Sequence, residues 1–280
     1  MGWVFTEDPE VFAAAAVPLL LTEPASNTVA LTVLDTLRAG HRFSDQPITL
    51  AWYAEGEQVT GAVLMTPPWG LLLAHLPVGS EVSLVEELRA RDTVVPDSHG
   101  TVEVARRFSS YWLAGTELTA EPLVEQRLFR LGELVAPDPA PTGSARLVTR
   151  AELDLLLDWI QAFQDEAESR AATPERSIYE RRIDLDLFWF WLDEQGIPVS
   201  MAGRNVTIAG VSRVGPVYTP AEHRKHGYAA GVTAACSQHA LDTGAQQVVL
   251  FTDLANPTSN GIYRRLGYQP LEDRLVLRYG

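Results

Sequence analysis

Apolar positions recur along the chain at two spacings, and each spacing predicts its own kind of element. In the first half, helical spacing follows the start signal Asp8-Pro9-Glu10 and runs to Leu21. A second helix opens at Ser26-Asn27, carries Val29, Leu31, Leu34 and Leu37, and stops near Gly40. Strand patterns then take over at Ile48–Tyr53 and Val59–Met65, joined by the hairpin signal Glu55-Gly56-Glu57. Pro67-Pro68 ends that run, and Leu71–Leu76 forms a third short strand. Helices are predicted around Ser80–Arg91 and Thr101–Leu113, with a last strand over Leu123–Leu134.

Residues 137–144, rich in Pro, Gly and small side chains, continue neither helix nor central strand and read as a linker between a first domain, 1–136, and a second, 145–280. The second opens with a strand at Arg146–Thr149 and a helix over Ala151–Arg170 that places Leu153, Leu156, Leu157, Ile160 and Phe163 together. Thr173-Pro174-Glu175 restarts a helix to about Arg182. Leu187–Leu192 is an aromatic strand with Trp189 and Trp191 on one face and Phe188 and Phe190 on the other, returning through Pro198–Ala202. Val211–Tyr218 is a further strand, in which Pro216 removes a donor and predicts a bulge or an unpaired edge. A helix from Glu222 ends at Gly244, and Gln246–Thr252 is a buried strand. A helix then runs from Asn256 to Leu266, and closing strands over Tyr268–Tyr279 bend at Pro270 and Glu272-Asp273.

A chain of 280 residues, 46% apolar, is long enough for two cores. Its net charge of −14 is uneven: 8 basic and 19 acidic residues up to Ser144, against 14 and 17 after it. That balance argues against nucleic acid as a partner, favours solubility, and weakly suits a cationic or amine-bearing substrate. The only cysteine, Cys236, leaves no intrachain disulfide and suits a reducing compartment. The apolar run from Phe12 follows acidic residues and contains Pro18, so it is no signal peptide, and nothing approaches the roughly 20 residues of a membrane span. A cytoplasmic protein is expected. His223 and His226 fall at the helix start, while Cys236 and His239 lie about 15 Å or more along it, too far for a shared metal, and none is expected.

The candidate chemistry lies where the strand ending at Tyr218 enters the next helix. Arg224-Lys-His-Gly227-Tyr-Ala229 is predicted to form the first helical turn after Thr219-Pro220. The unpaired N–H groups and positive dipole end of a helix start attract phosphate, Gly227 admits close approach to the backbone, and Arg224 and Lys225 add charge. Arg224-x-x-Gly227-x-Ala229 resembles the Arg/Gln-x-x-Gly-x-Gly/Ala signature of the GNAT superfamily of acyl-CoA-dependent N-acyltransferases. Asn256-x-x-Ser259-x-x-x-Tyr263-x-x-x-Gly267-Tyr268 resembles the same family's later motif, and the two stand in the right order.

The resemblance, which covers roughly residues 145–280, implies an α/β (α+β) fold of two GNAT-like domains. Each is a mixed, mostly antiparallel sheet flanked by helices, with a splayed strand pair in the second. It implies acetyl-CoA or another acyl-CoA, held by Val217, Tyr218, Thr219, Arg224, Lys225, His226, Gly227, Tyr228, Ala229, Asn256, Ser259 and Tyr263. The Val217 N–H would polarise the thioester carbonyl, and Tyr263 would be general acid toward the departing thiolate. Asp253 is the leading candidate for general base, although an aspartate there equally forms a turn. Tyr218, Glu166, Glu168 or a chain of waters are the other options. The expected reaction is direct transfer to a primary amine of a small molecule or peptide by a monomer or homodimer, with no part for mid-helix Cys236. A non-catalytic acyl-CoA sensor and a partner-binding protein are the alternatives. The first domain has the element order of the family, but Leu76-Pro-Val-Gly79-Ser-Glu-Val-Ser contains neither the signature nor a cation, so a cofactor site lost there is expected.

Overall fold

The computed structural model describes residues 1–167 and 174–280. The chain folds as two compact units, one of residues 1–127, 253–255 and 272–280, the other of residues 128–252 and 256–271. This division differs from a cut at residues 137–144, which lie inside the second unit. No helix among the described residues is long and apolar enough to cross a membrane.

In the first unit, β1 (Gly2–Thr6) precedes α1 (Pro9–Leu20) and α2 (Thr28–Arg38). Asp8 caps α1 by accepting the Glu10 N–H at 2.8 Å, and Pro9 starts the helix where no donor is missed. Then come β2 (Thr49–Glu55), β3 (Gln58–Met65), β4 (Leu71–His75), α3 (Glu81–Ala90), β5 (Asp97–Thr101) and α4 (Val102–Trp112). The strands lie in the order β1-β2-β3-β4-β5; the first three pairings are antiparallel and β4 runs parallel to β5. Trp3, Leu73, Leu76, Leu84, Phe108 and Trp112 belong to one buried core. β6 (Ala120–Leu131) divides between the units, and so does β12 (Tyr268–Tyr279). β1 was not expected, and β12 runs unbroken through Pro270 and Glu272-Asp273, because its Arg274–Arg278 stretch is laddered antiparallel on β5.

The second unit repeats the succession: β7 (Ser144–Leu147), α5 (Leu153–Glu166), α6 (Arg176–Asp184), β8 (Phe188–Leu192), β9 (Pro198–Arg204), β10 (Val211–Tyr218), α7 (Tyr228–Asp242), β11 (Gln247–Asp253) and α8 (Pro257–Arg265). Its strands lie β7-β8-β9-β10-β11, again with only the last pair parallel. The aromatic strand divides as its period dictates. Phe188 and Phe190 are buried in one core with Leu156, Ile160 and Ile183, while Trp189 and Trp191 pack on the other with Val232, Cys236 and Ala240. The helix expected to Arg170 is described to Glu166, and the restart at Thr173, like Glu168, lies outside the described residues.

Candidate active site

β10 is laddered to β11 only at its start, from Val211 opposite Gln247 to Val214 opposite Leu250. Beyond that pair the strands part. Gly215, at φ +145°, takes a backbone that L side chains rarely adopt, and Pro216 has no N–H to offer. On its other side β10 stays paired to β9 through a bulge, with Val217 opposite Ala202 and Tyr218 opposite Met201. The backbone of residues 215–218 is therefore unladdered on the side of β11. An edge of this kind can hydrogen-bond an extended ligand as a strand would.

The loop after β10 is built from small, specific contacts. The Ser200 hydroxyl lies 2.8 Å from that of Thr219 and donates to the Tyr218 carbonyl at 3.0 Å. A short 3-10 turn, Ala221–His223, follows Pro220, and Arg224 is extended. Lys225 and Gly227 both take positive φ, +68° and +81°. The helix accordingly begins at Tyr228 with Gly227 as N-cap, not within Glu222–Arg224 as its composition suggests. No side chain among the described residues caps it, which leaves the N–H groups of its first turn open, at the positive end of α7.

The proline-rich segment braces this turn. Trp191 Nε1 donates to the Thr142 carbonyl at 2.8 Å, and Pro141 lies against Gly227 and Gly231. A Cβ on Gly231 would fall 2.7 Å from the Trp191 ring and 2.9 Å from Pro141. Gly231→Ala is therefore expected to cost about 2 kcal/mol through overpacking. Urea unfolding measures it, and unchanged stability would show the brace to be loose.

Arg224 is not a free cation. One of its terminal nitrogens reaches both Glu166 oxygens, at 2.6 and 2.7 Å, and its Nε donates to the Thr219 carbonyl at 2.9 Å. The guanidinium stands 6.0 Å from the centre of the Tyr218 ring. The Tyr218 phenol, whose hydroxyl is 3.5 Å from Glu166, is shifted up by burial and then by that carboxylate. Both ion-pair partners are substantially exposed, so the pair orders the loop more than it stabilises the protein.

In α8, Asn256 accepts the Ser259 N–H at 3.0 Å as N-cap, and Pro257 follows. Tyr263 is 8% exposed, and burial pushes its phenol up to about 12. Its ring meets that of Tyr268 edge-on at 6.1 Å, and the Tyr268 and Ser237 hydroxyls lie 2.6 Å apart.

Residues 195–277 match the family model described as FR47-like protein. Over nearly its whole length the chain is similar to a solved GNAT-family acetyltransferase from Colwellia psychrerythraea (10% identity, TM-score 0.60, 100% of this chain and 99% of that one). It is similar to a GCN5-related N-acetyltransferase from Sphaerobacter thermophilus (16%, 0.62, 99% and 95%). A tandem GNAT protein from the clavulanic acid biosynthesis pathway also matches (13%, 0.60, 99% and 98%). The fold is a tandem GNAT fold. No curated protein sequence matches the chain.

Within the GNAT fold, the unladdered end of β10, the open head of α7 and the start of α8 all belong to the second unit. Val217 packs with the core beside α7, and Tyr218 with the opposite core beside α5. Lys225, His226 and Gly227 are exposed, while Thr219, Tyr228, Ala229 and Ser259 are half-buried. Asp253 is exposed, groups with the first unit, and its Oδ1 accepts the Ala255 N–H at 2.7 Å, the geometry of a turn. Asp165 accepts from Gln161 at 2.8 Å, so both described carboxylates at the end of α5 have partners within the unit. Cys236 is buried and its thiol pushed up to about 12 by burial, poor conditions for a nucleophile. No group of His, Cys, Asp and Glu among the described residues is arranged to hold a metal. Sequence reasoning missed the bracing by Ser200, Thr142 and Trp191; each acts through a contact far along the chain and left no local signal.

Proposed function

We propose that the second unit binds acetyl-CoA or a related acyl-CoA and transfers the acyl group directly to a primary amine of a small molecule or peptide. The observation that carries this is the parting of β10 from β11 beyond Val214, next to the uncapped head of α7. The residues fit the group. Open amides at a helix start suit a diphosphate, Gly227 keeps a side chain out of the approach, and the unladdered backbone of residues 215–218 suits the amides of a pantetheine arm.

The bound thioester supplies an activated acyl carbon, and the chain's residues do the rest. The Val217 N–H donates to the carbonyl oxygen as charge develops there. Asn256 and Ser259 orient the arm at the start of α8. The amine forms the new C–N bond, the C–S bond breaks, and the Tyr263 phenol protonates or hydrogen-bonds the departing thiolate. Burial keeps that phenol protonated at neutral pH, as a donor must be. The amine gives up its proton to water, from which a Tyr263 phenolate regains its own, since Glu166 is engaged by Arg224 and Asp253 by its own turn.

Thiol release from acetyl-CoA, screened against polyamines, amino acids, aminoglycosides and peptide N-termini, tests the proposal. Release that depends on an amine and yields its acetamide is expected. CoA affinity with no release for any acceptor would favour a sensor, and no affinity would favour a partner-binding protein.

A further inference from the structure

The two units repeat the same succession, so the head of α3 corresponds to the head of α7. The strand before each helix leaves its parallel neighbour early: β4 is laddered to β5 only through Leu71 and Leu72. Each helix is preceded by a glycine at positive φ, Gly79 at +91° and Gly227 at +81°. The head of α7 is open. The head of α3 is filled.

Glu81, the first residue of α3, is 1% exposed. Its carboxylate accepts the Gly79 N–H at 2.7 Å and takes the Arg107 Nε in an ion pair. Arg107 reaches it from α4, where its other nitrogens donate to the Leu76 carbonyl at 2.5 Å and to Glu103 at 3.0 Å. The cation missing from the local sequence is thus supplied from elsewhere in the fold, and a carboxylate consumes it. A buried carboxylate at a helix start, satisfied by a backbone N–H and a guanidinium, is what a bound anion would be.

The next helices show the same conversion. α8 is capped by Asn256 and α4 by Thr101. Counting from the cap, the position of Tyr263 is taken in α4 by Phe108, which is fully buried and has no hydroxyl, and that of Ser259 by the larger Val104.

We propose that Glu81 is a built-in anion that occupies the diphosphate position of the first unit, so that the chain has one cofactor site and not two. The inference rests on the reading of α7 for the identity of the ligand; its test does not depend on that reading. Glu81→Ala leaves Arg107 and the Gly79 N–H facing an empty anion position. Its Tm should fall by roughly 10 °C. Sodium acetate should recover much of that fall where sodium chloride at equal ionic strength does not, with wild type indifferent to the exchange. A variant that melts like wild type, or that treats acetate and chloride alike, overturns the proposal. Should Glu81→Ala not fold, Glu81→Gln is compared with Glu81→Gln/Arg107→Met. The double variant should melt higher, because the Arg107 guanidinium no longer faces Glu81's position without the buried carboxylate that Glu103, on the surface, does not replace, and a lower Tm overturns the proposal. Native mass spectrometry of wild type with CoA should show no more than one CoA per chain, and two would overturn it. A chain that takes none contradicts the reading of α7 and leaves the melting comparison to decide the role of Glu81.

Discussion

Gly227→Glu abolishes CoA binding, a loss of at least 100-fold in affinity by calorimetry. Two effects add. At φ +81° a residue with a Cβ costs about 1–2 kcal/mol, and the carboxylate brings negative charge to the amides meant for a diphosphate. Gly227→Ala separates them. A Cβ there would sit 3.4 Å from Pro141, an ordinary contact, so the methyl carries the backbone strain without the charge. It should weaken CoA by about 10-fold, the conversion of that strain at 1.4 kcal/mol per decade. Equal CoA affinity in wild type and Gly227→Glu would mean that the head of α7 holds no anion.

Tyr263→Phe slows acyl transfer by about 100-fold in kcat, at the lower end of general acid catalysis, while leaving KM for acetyl-CoA nearly unchanged. Phenylalanine keeps the ring and its edge-on contact with Tyr268, so the fold should persist and only the hydroxyl is lost. Burial holds this phenol at about 12, and the sign matters. A raised value keeps the proton on oxygen at every pH below it. Wild-type rates should therefore show no fall near pH 10, where an ordinary tyrosine ionises. A variant as fast as wild type would leave Tyr263 as a core residue, packed with Leu266 and Tyr268.

Much of this is legible in the sequence. Pro216 announced the bulge where β10 leaves β11, because a residue without an N–H cannot sit in a continuous ladder. The period of the aromatic strand announced which core each of Phe188, Trp189, Phe190 and Trp191 would enter. Local pattern failed where tertiary structure decides. Asp97–Thr101 is polar, yet it is a strand because it lies between β4 and β12. The start of α7 moved to Tyr228 because Lys225 takes positive φ, which no lysine advertises. Arg224 looked like a free cation and is held by Glu166, from another helix. The missing motif predicts a cofactor site lost from the first unit. The pair proposed to fill it, Glu81 with Arg107, joins residues of two helices that no local spacing relates.

A crystal structure of the protein with CoA tests the central claim most directly. The account predicts the diphosphate on the amides at the head of α7, from about Lys225 to Ala230, with the pantetheine arm along the unladdered backbone of β10 between Val214 and Tyr218. A diphosphate bound elsewhere, or β10 laddered to β11 past Val214 with the cofactor excluded, would contradict it.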